Sequence, residues 1–230
     1  MIRSVVKPIL FYDNRSPPVR SCLMLIKCLG VDVELKAVDL FKQEHLSAEF
    51  RKVNPLHTVP TLKDDGLTLT DSHAILIHLA QKYGDSGCGR GLNVYPKDDV
   101  ARIKVINRLF FECGILFRRD SDMMTEIFRS GQKDVSHHRR KIEEAYDSME
   151  LYLAESEFMA TDNMTIADFS IITTLSTVDL IFPVTAAKWP RLRSWIQKMQ
   201  ALPYYQDANQ VGLDRLRKAL RDYAKFDSLV

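Results

Sequence analysis

The chain has 230 residues, 46% of them hydrophobic and 27% charged, and its 32 Lys and Arg against 30 Asp and Glu leave a formal charge of +2. This suits one large globular domain or two small ones with an ample core. The charge balance excludes a dedicated polyanion binder, since no basic block or aromatic-interleaved Lys/Arg stripe occurs.

No apolar run reaches the ~18 residues of a membrane span, and residues 1–8 are too short and too polar for a secretory leader. Cys22, Cys28, Cys88 and Cys113 form no Cys-x-x-Cys pair and have no His at ligand spacing. They predict reduced thiols in the cytosol and no metal site.

Residues 9–13 predict a short strand. A helix follows over 17–29, with Val19, Cys22, Leu25, Ile26 and Leu29 on helical spacing. Ser16 is placed as its N-cap, Pro17 as its first helical residue, and Gly30 as its terminator. A second strand spans 34–38, followed by a loop over 39–46 and a weak helix over 47–53. Asn54-Pro55-Leu56-His57-Thr58-Val59-Pro60-Thr61 comes next. A Val-Pro pair entering a strand calls for an explanation, because proline cannot donate to a ladder. Either an ordinary loop enters the strand here, or Val59-Pro60 is cis and turns the Val59 backbone outward, where it could pair with an extended peptide ligand.

A hairpin over 61–70 turns at Asp64-Asp65-Gly66, and Asp71-Ser72-His73 opens a helix to Tyr83. The order strand-helix-strand-helix-strand-strand-helix is an α/β unit with a mixed sheet. Gly84, Gly87, Gly89 and Gly91 mark a linker. The division is thus 1–84, a linker at 85–93, and an all-helical 94–230. In the second part Ile103, Ile106, Phe110, Cys113, Phe117 and Met124 run down one long helix. A second helix spans 136–154, Thr165 and Asp168 form a capping box before the next, and further helices cover 191–202 and 213–223.

Asp120 continues the apolar stripe three residues beyond Phe117. A buried carboxylate needs a partner or a changed protonation state. It can pair with Arg119 or a basic residue of another helix, it can be solvated where the stripe leaves the core, or it can accept a hydrogen bond from a ligand hydroxyl deep in an apolar pocket. Glu112 lies off the stripe, four residues from Arg108, and reads as a surface ion pair. His78, His137 and His138 carry no catalytic expectation.

Asn-Pro-x-His-Thr-Val-Pro at 54–60, then Leu-Thr-Asp-Ser-His-Ala at 69–74, together with the small α/β unit and the helical second half, resemble a cytosolic glutathione transferase of the insect delta/epsilon branch. The likeness covers nearly the whole chain. The runs Ser16-Pro17-Pro18-Val19-Arg20-Ser21, Phe117-Arg118-Arg119-Asp120-Ser121-Asp122 and Thr173-Thr174-Leu175-Ser176-Thr177-Val178 look like the epsilon-type branch required for ecdysteroid synthesis.

The resemblance implies a thioredoxin-like N-terminal domain, an all-α C-terminal domain, glutathione as co-substrate, no metal, and a cytosolic homodimer. Such enzymes hold the glutathione sulfur as a thiolate. A thiol of pKa about 8.5 is only ~3% ionised at pH 7, and lowering it two units takes about 2.7 kcal/mol. A hydroxyl donating to the thiolate contributes roughly 1.5–3 kcal/mol, and Ser16 is the residue this implies, where its other role would be capping.

By the same resemblance Val59 and Pro60 would take the cysteinyl moiety, Asp71 and Ser72 the γ-glutamyl end, and His57 and His45 the glycyl carboxylate. His73 stands where related enzymes often carry Arg. Arg15, Pro17, Leu40, Phe41, Phe117, Asp120, Ser121, Met124, Thr174 and Leu213 would line a pocket for a steroid- or sterol-like substrate. A general detoxifying transferase and a glutathione-dependent steroid carrier are the alternatives.

Overall fold

Ile9–Tyr12 forms β1, and Pro17–Leu29 forms α1, which crosses over to the parallel strand β2, Glu34–Ala37. The computed structural model describes residues 7–85 and 91–226. After α2 (Ala48–Val53) come β3 (Thr61–Asp64), β4 (Leu67–Leu69) and α3 (Ser72–Tyr83). The sheet order is β2-β1-β3-β4, with β3 antiparallel to both β1 and β4. Asp65 and Gly66 join β3 to β4 with positive φ at both residues, the backbone of a tight two-residue hairpin and the reason for Asp-Gly there.

The expected linker spans 85–93. Its central residues 86–90, including Gly87, Cys88 and Gly89, lie outside the described residues, as do 1–6.

The strand directions position the site. β1, β2 and β4 end, and β3 begins, at one edge of the sheet. The segments after β1 (13–16), after β2 (38–46), before β3 (57–60) and after β4 (70–71) therefore collect at that edge.

The second half is helical: α4 (Asp99–Phe111), a π-turn (Glu112–Leu116), α5 (Phe117–Arg129), α6 (Arg139–Glu155), α7 (Ile166–Val178), α8 (Pro190–Gln200) and α9 (Val211–Asp222). Every residue of α7 is buried, and α7 packs against α1, joining the two halves. Its capping box is formed as the sequence indicates: the Asp168 carboxylate accepts from the Thr165 N–H and hydroxyl. It also accepts from the Met159 N–H and Trp195 Nε1, so it ties three segments together. Burial pushes Asp168 up to about 6, against those four donors.

The long α4–α5 helix departs from expectation. Its buried face is Val105, Leu109, Glu112, Leu116, Asp120, Met123 and Ile127, whereas Ile103 and Phe110 are 60% and 72% exposed and Cys113 faces solvent. The buried face keeps ordinary three-four spacing straight through the π-turn, and the Ile103–Cys113 stripe lies about 100° round the helix from it, turned away from the core. Glu112 is likewise no surface ion pair: it is 3% exposed and lies on the buried face. Arg108 instead donates to the Met159 carbonyl and the Asn107 side chain.

Candidate active site

Ser16 stands at the sheet edge with extended backbone, immediately before α1, and its side chain makes no capping hydrogen bond. Pro17 and Pro18 explain part of this. They remove the amides of the first two helical positions, and an N-cap side chain bonds the N–H of the second or third. The hydroxyl is left uncommitted beside a cavity of about 280 Å³ that Ser16 helps to line.

At the same edge Val59-Pro60 is a cis peptide, and Asn54 braces the segment before it by donating to the Thr58 carbonyl and to the Thr61 hydroxyl. Asp71 caps α3 by accepting from the Ala74 N–H. Ser72 is buried, and its carbonyl sits 4.0 Å from the Cys22 sulfur, which brings the start of α3 against α1. His45 and His57 lie with ring centroids 6.3 Å apart. Burial lowers the His45 pKa, and His57, Arg129 and Arg51 lower it further. That marks a corner of positive potential suited to an anion.

His73 is already engaged. Its Nε2 lies 2.8 Å from Glu112 Oε2 and 2.9 Å from the Ser170 hydroxyl, and its Nδ1 is 3.8 Å from Asp71. The Thr174 hydroxyl donates to the other Glu112 oxygen. One buried carboxylate thus joins the start of α3 to α7 across the two halves. Burial disfavours the His73 charge, yet the hydrogen bond and charge of Glu112, with Asp71 behind, prevail and raise its pKa.

The cavity is lined by Arg15, Ser16, Pro17, Leu40 and Phe41 from the first half and by Phe117, Asp120, Ser121, Met124, Thr125, Phe128, Arg129, Thr177 and Leu216 from the second. Arg15 is fixed by Asp13 and Asp39 and lies 4.3 Å from the Phe41 ring centroid. Phe41 in turn packs on Phe128 and Tyr223.

Two expected lining residues fall elsewhere. Thr174 is buried against Glu112. Leu213 faces a separate cavity beside Asp179 and Arg193, because the turn of α9 nearest the site presents Leu216 instead. Thr125, Phe128, Arg129 and Thr177 were not foreseen, while Leu216 lies one turn from Leu213 on the last helix, from which closure of the pocket is expected. Phe128 and Arg129 were detectable as the next turn of the Phe117–Met124 stripe.

Asp120 is 2% exposed and its Oδ1 has no hydrogen-bond partner. Burial pushes it up to about 8; the nearby Arg20 charge opposes this and Glu112 adds to it. Arg119 is not its partner, since it turns outward to the Lys141 carbonyl and Glu144. Arg20, which sequence reasoning passed over, is wholly buried. It donates to Asn209 Oδ1 at 2.8 Å, to the Thr173 carbonyl at 3.1 Å and to the Thr177 hydroxyl. Burial lowers its pKa to about 10. The one visible signal was an arginine in the first turn of a largely apolar helix.

A mixed four-stranded sheet with its loops gathered at one edge, a cis proline entering β3, and an all-helical second half define the glutathione transferase fold. Comparison bears this out. Residues 10–87 match the family model of the glutathione S-transferase N-terminal domain, and residues 113–203 match that of the C-terminal domain. The chain is 34% identical to glutathione S-transferase D7 of Anopheles gambiae, over 95% of this chain and 99% of that one.

An epsilon-class glutathione S-transferase from the housefly, Musca domestica, superposes with a TM-score of 0.89 at 38% identity, covering 94% of this chain and 98% of the other. A Drosophila mojavensis glutathione transferase homologue with bound glutathione superposes at 0.87 and 36% identity, over 94% and 97%. The chain belongs to the glutathione S-transferase family, in its insect delta/epsilon class, and its co-substrate is glutathione. Among the described residues no helix is long and apolar enough to cross a membrane.

Proposed function

We propose that the Ser16 hydroxyl donates to the glutathione sulfur and holds it as a thiolate for attack on an electrophile in the adjoining cavity. The hydroxyl is free of its own helix, and Pro17 and Pro18 leave few amides there to share the task. Val59 pairs its backbone with the cysteinyl moiety, with Pro60 behind it. Asp71 and Ser72 take the γ-glutamyl end, and His45 and His57 take the glycyl carboxylate. His73 acts at one remove, fixing the start of α3 through Glu112.

The acceptor we infer is a steroid or sterol bearing a hydroxyl, and the setting is ecdysteroid biosynthesis, in line with the resemblance of the runs at 16–21, 117–122 and 173–178 to Noppera-bo, the epsilon-type transferase required for ecdysteroid synthesis. One observation carries this reading. An apolar cavity built from Pro17, Leu40, Phe41, Phe117, Met124 and Phe128 contains a fully buried acid whose Oδ1 has no partner. An unpartnered buried polar atom costs about 1–3 kcal/mol, which a ligand hydroxyl would relieve. With its pKa near 8, Asp120 is mostly protonated at pH 7. A neutral carboxyl both donates and accepts one hydrogen bond, and a single alcohol can answer both.

The functional division follows 1–84 and 94–230. The protein works as a cytosolic homodimer, and exposed Val100, Ile103 and Phe110 along α4 offer an apolar face for a partner subunit.

Calorimetric titration with a hydroxylated steroid, with and without glutathione, tests the reading. One steroid per chain, competing with a hydrophobic electrophile, is expected. Conjugation of model electrophiles without saturable steroid binding would return a general detoxifying transferase. Physiological function surviving in Ser16→Ala, with steroid bound and conjugation lost, would mark a carrier.

A further inference from the structure

We propose that Glu126, His137 and His138 form a binding site for a divalent transition-metal ion of borderline softness, Zn²⁺ first among them. None of the three side chains lines the substrate cavity; they sit where the chain leaves α5 and turns into α6. His137 Nε2 stands 3.0 Å from one Glu126 oxygen, and His138 Nε2 stands 3.1 Å from the other. All the donor atoms fall within 4.8 Å of one another. Tetrahedral zinc with bonds of about 2.0–2.1 Å sets its ligand atoms roughly 3.3 Å apart, so only small side-chain movements are needed. Two imidazoles and one carboxylate, with a fourth position for water, are a donor set that zinc accepts.

The backbone holds this arrangement in place. The Glu126 carbonyl accepts from both the Ser130 and Gln132 N–H groups, and Gly131 makes the reversal with φ +64°. Buried Val135 and the Lys133 bond to the Ala224 carbonyl anchor the returning segment. The two imidazoles lie side by side, tilted 40° to one another, with centroids 4.3 Å apart.

A second observation points to a ligand. His138 is 8% exposed, and its Nε2 has no hydrogen-bond partner; the approach to Glu126 is close but not directed along an N–H. That buried nitrogen is turned into the cluster. Binding an ion there would place the Nε2 lone pairs on the metal and leave each imidazole proton on Nδ1. No redox step is involved.

The donor set decides the class of ion. One carboxylate offers too few hard oxygens for Ca²⁺ or Mg²⁺, whereas imidazole suits Zn²⁺, Ni²⁺ and Cu²⁺. His137 is 56% exposed, so the site opens to solvent and exchange is unobstructed. A bound ion would pin the end of α5, the helix that carries Met124, Thr125, Phe128 and Arg129 into the substrate cavity.

The test is isothermal titration with ZnCl₂ in a non-chelating buffer without glutathione, on a Cys88→Ser, Cys113→Ser background that removes the exposed Cys113 thiol and the one outside the described residues. One ion per chain in the micromolar range is expected, with affinity falling about tenfold or more in both His137→Ala and Glu126→Gln. Excess Zn²⁺ should raise Tm in the parent and not in either variant, and Mg²⁺ should do neither. Circular dichroism checks that both variants are folded. Failure to bind Zn²⁺, or affinity unchanged in either variant, overturns the proposal.

Discussion

His73 and Glu112, 39 residues apart, meet at 2.8 Å across the boundary between the two halves of the protein. Glu112 also receives the Thr174 hydroxyl, so the start of α3 is fixed to α7 through one carboxylate. Glu112→Gln should destabilise the protein by roughly 1–3 kcal/mol, since it weakens a buried, charge-assisted bond. The loss should depend on pH. His73 has a raised folded-state pKa, so its contribution is fully present below the ordinary imidazole value of about 6.5 and is lost as pH rises through the raised one. Thermal melts from pH 5.5 to 8.5 should show the two proteins furthest apart at the acid end. A gap independent of pH would mean that the charge on His73 plays no part.

Ser16→Ala separates capping from activation. The hydroxyl makes no bond to its helix, so Tm should move little, within about 0.5 kcal/mol in stability. Conjugation at pH 6.5 should fall about 10- to 100-fold, and the thiol pKa read from the pH–rate profile should rise by about one to two units. A large drop in Tm without a shift of the profile would make Ser16 structural.

Asp120 should weigh on stability with a definite sign. An unfolded aspartate releases its proton near pH 4, while the folded one keeps it until about pH 8. Between those values the folded state binds more protons, so stability falls as pH rises. Asp120→Asn removes that slope. The variant should be the more stable protein at pH 7.5, on the order of a few kcal/mol, and the difference should shrink toward pH 4. Parallel curves for the two proteins would show that Asp120 is not protonated in the fold.

Gly212 lets α9 approach the loop after β1. A Cβ there would lie 2.0 Å from the Asn14 carbonyl oxygen and 2.8 Å from Arg20 Cδ. Alanine improves helix propensity by up to about 1 kcal/mol, but a clash with a backbone carbonyl cannot be relieved by a rotamer. Gly212→Ala should lower Tm by several degrees, an overpacking cost of roughly 1–3 kcal/mol, and weaken binding in the cavity that Leu216 lines. An unchanged melt would show that α9 shifts freely.

Much of the architecture was legible because it rests on local chemistry. The Pro17 start and Gly30 stop of α1, the Asp-Gly hairpin and the Thr165–Asp168 capping box are all formed where the residues indicate. The features that escaped were non-local. The Ile103–Phe110 stripe is a real apolar stripe, but periodicity does not say whether a core or a partner subunit covers it. Glu112 looked like half of a surface pair because Arg108 is its neighbour in sequence, while its partners lie 39 and 62 residues away. Arg20 was missed for the same reason: its partners come from α7 and from residue 209. Asp120 could be flagged as an acid on an apolar stripe, but its missing partner is visible only in three dimensions.

The most direct test of the account is inhibition of glutathione conjugation by a 3-hydroxysteroid and by its 3-deoxy analogue, in wild type and in Asp120→Ala. The hydroxysteroid should inhibit the wild type tightly and lose about tenfold or more, 1.4 kcal/mol, in the variant, while the deoxy analogue inhibits both alike. Equal, weak inhibition of both proteins by both ligands would contradict the account and leave Asp120 a structural acid in a general transferase.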